Sequence, residues 1–112
     1  MALLNKASFL NAEDFKYAVV PCPELGGEVR VRGLSAYEQS IISKKVSEQQ
    51  AEELTVIAVI MGCVDEHGNR IFTADDKEAL KQKSFAVLNR ISNKIAELSK
   101  DEADGVETAV KN

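Results

Sequence analysis

The chain has 112 residues, of which 45% are hydrophobic, 29% charged and 5% aromatic, with 6 Gly and 2 Pro. This is the composition of one ordinary domain with enough apolar residues for a core, and it excludes collagen-like, low-complexity and wholly disordered chains. The 18 carboxylates outnumber 14 Lys and Arg, giving a net charge of -4, which argues against a protein that gains affinity by neutralising phosphates.

No apolar run reaches the roughly 18 residues a membrane helix needs. Met1-Ala2-Leu3-Leu4-Asn5-Lys6 turns polar too soon for a signal peptide. Neither nucleic acid nor a membrane is expected as a partner. Cys22 and Cys63 form no CxxC pair and read as reduced, small apolar residues of a cytoplasmic protein.

Residues 1–14 give a weak signal: a segment that is poorly ordered, or one helical turn docked on the body by Leu3, Leu4, Phe9 and Leu10. A single α+β domain, mainly α, is expected over residues 15–99, with a flexible C-terminal tail over 100–112. The domain opens with a two-stranded antiparallel β-hairpin, followed by about four helices.

Phe15–Val20 is rich in β-formers, and Glu28–Arg32 alternates Val29 and Val31 with charges. Gly26-Gly27 permits the positive φ of a tight turn. A turn centred on Leu25-Gly26 sets Cys22 opposite Val29 and Val20 opposite Val31, all four pointing inward. Pro21 and Pro23 cannot donate to a ladder, so their strand is an edge.

Ser35 and Glu38 have the capping-box spacing that starts a first helix, with Tyr37, Ile41 and Val46 as its apolar stripe. A second helix is expected from about Gln50 to Val64, opening with Glu52 and Glu53. It carries two stripes: Leu54, Ile57, Ala58, Met61 and Val64, and Val56, Val59, Ile60 and Cys63. A helix apolar on every side is either central in the core or covered by a partner.

Asp65–Arg70 reads as a polar turn, and Ile71-Phe72 as an extended piece reaching back to the core. Thr73 caps a third helix whose first turn holds Asp75, Asp76 and Glu78. Ser84 either caps a fourth helix or sits at a bend. Residues 85–98 are amphipathic, with Phe85, Leu88, Ile91, Ile95 and Leu98 on one face.

Chemistry is hard to find. His67, the one histidine, lies in a polar turn with no nucleophile beside it. Asp65 to Asp76 spans a calcium-loop length, but Gly68 stands at its fourth position, Arg70 at its sixth, and the bidentate Glu is missing. Cys63 and His67 alone make no zinc site. Glu52-Glu53 and Asp75-Asp76 are explained by helix dipoles. No catalytic constellation, cofactor site or metal site is read. What remains is surface: the second stripe of the second helix (Val56, Val59, Ile60, Cys63), and Arg30 and Arg32, which with Lys16 form a basic strip on the hairpin's outer face. These are the candidate partner-binding residues, and self-association is an open alternative.

Two stretches carry a resemblance. Pro21-Cys22-Pro23-Glu24-Leu25-Gly26-Gly27-Glu28-Val29-Arg30-Val31-Arg32-Gly33-Leu34-Ser35 resembles the opening of tail assembly chaperones from long-tailed bacteriophages and prophages. Val64-Asp65-Glu66-His67-Gly68-Asn69-Arg70-Ile71-Phe72-Thr73 resembles the step before that family's C-terminal helices. A departure lies at Lys81-Gln82-Lys83, where family members often place Gly. The resemblance covers about residues 15–99. It implies a non-enzymatic factor in the host cytoplasm that binds the tape-measure protein, helps recruit the major tail protein that builds the tube, and is absent from the mature virion. The alternatives are a structural tail-completion or connector subunit, and a small DNA-binding regulator.

Overall fold

A computed structural model of the chain describes residues 2–48 and 53–100. Gln50 and Glu52, expected to open the second helix, and most of the expected C-terminal tail lie outside the described residues.

The fold is α+β, mainly α, and its strands run β1 (Tyr17–Cys22), β2 (Gly27–Arg32) and β3 (Cys63–Val64). They form one antiparallel sheet in the order β1-β2-β3. β1 is therefore an edge strand, as Pro21 within it requires. The hairpin is longer than expected and its register differs by two residues: Val20 faces Val29, and Cys22 faces Gly27. The reason is local. Pro21 and Cys22 stay in the strand, and Pro23–Leu25 forms a 3-10 turn closed by Gly26 at φ 81°. A shift of two keeps the parity of the pleat, so Val20, Cys22 and Val31 are still buried and Val29 half-buried.

The described helices are α1 (Lys6–Asn11), α2 (Ala36–Ser47), α3 (Leu54–Gly62), α4 (Lys77–Lys81) and α5 (Phe85–Leu98). α5 packs against α3 and across β1 and β2, and α2 packs on α3. The core between them holds Val31, Val59, Leu88, Ile91 and Ile95. Ser84 accepts from the Val87 amide to cap α5, so α4 and α5 are two helices.

Three expectations need correction. The second helix does not reach Val64. It ends at Gly62, and Cys63–Val64 turns extended to pair with Val31 and Arg30 of β2. Gly62 fits there because a Cβ would lie 2.5 Å from Ile95 Cδ1. The apolar stripe of α2 is not Tyr37–Ile41–Val46: Tyr37 and Val46 are exposed. At ~100° per residue, the inward face runs through Glu38, Ile41, Ile42 and Lys45, centred beside the buried Glu38. Finally, the N-terminal turn forms as α1, capped by Asn5 and Ser8, but it does not dock. Leu3, Leu4, Phe9 and Leu10 are all exposed.

Candidate functional site: an apolar groove beside the hairpin turn

The candidate residues fall in two places. Val56, Val59, Ile60 and Cys63 are buried within the chain itself, with Val59 and Cys63 almost sealed from solvent. The all-round apolar character of α3 is therefore satisfied by its central position, where α5, α2 and α4 all pack on it. The second stripe is no exposed surface.

Arg30 and Arg32 do not form a solvated basic strip. Arg30 stacks on the Tyr17 ring at 4.1 Å and donates to the Asp65 carbonyl at 3.0 Å. Arg32 lies over the Phe15 ring and grips Glu38 through two hydrogen bonds of 2.8 and 2.9 Å. Glu38 also accepts from the Ser35 amide and from Arg70. Burial alone would push the Glu38 carboxyl up. The bonds from Arg32, Ser35 and Arg70 overcome this and hold it at about 2. The capping glutamate read from the sequence is thus also the anion of an internal cluster tying β2, α2 and the turn after β3 together.

The remaining polar motifs are structural too. Asp65 Oδ1 accepts from the amides of His67 and Asn69, fixing the turn. Thr73 and Asp76 cap the 3-10 turn that leads into α4. Glu53 receives Lys77 at 3.0 Å, Lys81 at 3.7 Å and Lys45 at 3.8 Å. Among the described residues no three His, Cys, Asp or Glu converge to hold a metal ion, and no helix is long and apolar enough to cross a membrane.

What the fold leaves open is a groove of about 290 Å³ at the turn end of the hairpin. Val59 and Cys63 belong to its lining, with Leu25 and Val29 from the hairpin, Phe72, Leu80 from α4, and Val87, Leu88 and Ile91 from α5. Glu24, Lys83 and Ser84 supply its polar edge. The edge is braced: Arg90 forks onto Glu24 at 2.9 and 2.5 Å and reaches the Pro21 carbonyl. The Arg90 bond holds the Glu24 carboxyl at about 2, so this clasp between hairpin and α5 stays charged at neutral pH. Burial pushes the Cys63 thiol up to about 12, so Cys63 stays an unreactive thiol at neutral pH. An apolar hollow with a thin polar edge is suited to holding apolar side chains.

Sequence reasoning placed Val59 and Cys63 in a binding surface but missed Val87, Leu80 and Leu25. One signal for Val87 was present. On a helical wheel the buried residues Val87, Leu88, Ile91 and Ile95 form one stripe, and Phe85, assigned to that face, lies about 110° from its centre. Phe85 is accordingly 68% exposed.

The sheet, the helix laid across it and the open groove define a small α+β fold with one well-enclosed place for apolar side chains. That fold is shared with a phage tail assembly chaperone: the solved structure from bacteriophage HK97 matches with a TM-score of 0.66 at 19% identity, covering 85% of this chain and 93% of that one. No protein-family model and no curated protein matches the sequence.

Proposed function

We propose that this protein is a non-enzymatic tail assembly chaperone of a long-tailed phage or prophage. Its groove receives the apolar side of a helical segment of the tape-measure protein, and the complex helps recruit the major tail protein. The observation that carries the reading is the fold held in common with the HK97 chaperone over 85% of the chain. The groove supports it independently. A helix lays its apolar side chains into such a hollow at i, i+3, i+4 and i+7, and a long amphipathic rod in water needs that side covered until it is packed. An assembly factor must also let go, which suits a groove open to solvent better than a sealed cavity. The protein then works in the host cytoplasm and is absent from the mature virion.

Co-expression with a tape-measure fragment and affinity capture tests this. The wild-type chain retains the fragment. Leu25→Glu, which sets a charge in the groove from an exposed turn position, loses it while keeping its melting temperature. Equal capture by the variant, or none by wild type, contradicts the reading. Finding the chain in purified virions would favour a structural tail-completion or connector subunit instead, and salt-sensitive retention of DNA a regulator.

A further inference from the structure

The groove takes side chains and not a whole helix. Its volume of about 290 Å³ lies at the lower end of small-ligand pockets, while a helix with its side chains is about 10–12 Å across. A helix docked there sets its apolar stripe into the hollow and lays the residues on either flank of that stripe over the edge. The polar residues of the edge, Glu24, Lys83 and Ser84, therefore meet the flanks of whatever binds.

Two of these three are already committed. Arg90 forks onto Glu24, and the pair cancels its own charge. The Ser84 hydroxyl accepts from the Val87 amide at 3.4 Å to cap α5. Lys83 differs from both. It is exposed in the turn between α4 and α5, and among the described residues no carboxylate pairs with it. The lysines of α4 beside it are taken, Lys77 by Glu53, and Lys81 by Glu53 and Glu78. The edge of the groove thus carries one uncompensated charge, and that charge is positive. The chain as a whole carries -4, so the sign at the groove opposes the sign of the protein.

We propose that Lys83 selects what the groove accepts: an amphipathic helix whose apolar stripe is flanked by a carboxylate. This rests on the reading of the groove as a helix site and adds the charge of the helix to it. The apolar lining attracts any stripe that fits, whatever lies beside it. The ammonium then decides between stripes of equal hydrophobicity. An exposed ion pair is worth a factor of about two to five in affinity. Exchanging the carboxylate for a cation forfeits that attraction and adds a repulsion, so the two kinds of helix differ by about fivefold at low salt. A lysine suits the task, because a compact charge on a flexible stem follows a carboxylate over several positions. Charge at an edge acts mainly on the rate of encounter, so selection does not prevent release.

Fluorescence anisotropy with two synthetic helical peptides tests this. Both carry the same leucine stripe, flanked in one by Glu and in the other by Lys. The full chain is titrated at about 0.02 M and about 0.5 M salt, where the screening length shrinks from roughly 20 Å to roughly 4 Å. Wild type binds the Glu peptide about fivefold more tightly at low salt, against the attraction its net charge exerts on the Lys peptide, and the preference fades at high salt. Lys83→Glu, at an exposed position, keeps the melting temperature and reverses the preference. Lys44→Glu changes the net charge equally but lies on α2, away from the groove, and leaves the preference in place. Equal affinities, a wild-type preference for the Lys peptide, or a Lys44→Glu effect as large as that of Lys83→Glu overturns the proposal. Leu25→Gln, which thins the apolar lining without adding charge, scores the groove separately. Peptides bound equally and both weakened by Leu25→Gln leave the groove standing and remove the role of Lys83. Peptides that do not bind, or that Leu25→Gln does not weaken, remove both.

Discussion

Replacing Glu38 by Gln removes the charge at the centre of the β2–α2 junction while keeping size and one acceptor oxygen. That oxygen still receives the Ser35 amide, so the helix cap survives and the charge is what is measured. The variant loses the forked bond to Arg32, which is 11% exposed, and the bond to Arg70, which is 44% exposed. Each unit of pKa depression is worth about 1.4 kcal/mol, so the drop from 4.5 to about 2 places a ceiling near 3 kcal/mol on the charge. Arg70 shares its charge with water, which reduces its part. The expected loss at pH 7 is about 2 kcal/mol, or roughly 10 °C in melting temperature. The folded pKa lies below the unfolded one, so the contribution is complete above about pH 4.5 and disappears as pH falls toward 2. Urea titrations of both proteins at unchanged slope, repeated from pH 7 down to pH 2.5, measure it. A loss below about 0.5 kcal/mol at pH 7, or one that persists undiminished at pH 2.5, refutes the assignment of an internal ion cluster.

Two further outcomes follow from packing. Gly62→Ala forces a methyl to 2.5 Å from the side chain of the fully buried Ile95, and the expected cost is about 1–3 kcal/mol by urea unfolding; a neutral substitution would mean the α3–α5 contact is looser than described. Cys22 and Cys63 are both sealed in the core, with the Cys63 thiol pushed up to about 12. Iodoacetamide at pH 8 therefore labels neither in the native protein and both in urea, and rapid native labelling would contradict their placement.

Local chemistry was legible in the sequence because it depends on neighbours along the chain. The Ser35–Glu38 box, the cap at Thr73, the edge role of the proline strand and the inward parity of Val20, Cys22 and Val31 all rest on spacing of a few residues, whereas Ser84 was open between a cap and a bend. Non-local pairing was not. Cys63–Val64 has the composition of the helix before it, and only β2, about thirty residues away, makes it a strand. The face of α2 was misread for a related reason: its inward stripe centres on a glutamate, which becomes tolerable inside only because Arg32 and Arg70 arrive from other elements. The groove was the least legible feature. It is a space left by five separate segments, and no periodicity records a space. The residues selected for binding, Val56, Val59, Ile60 and Cys63, were a true apolar excess, but the fold spends most of it internally.

The proposed function sets a helical tail protein in the groove beside the hairpin turn. Methyl NMR of the full chain during titration with a tape-measure fragment reads this directly. The account predicts shifts concentrated at Leu25, Val29, Leu80, Val87 and Ile91, with the methyls of α2 unmoved. Shifts centred on α2 with the groove silent would contradict it.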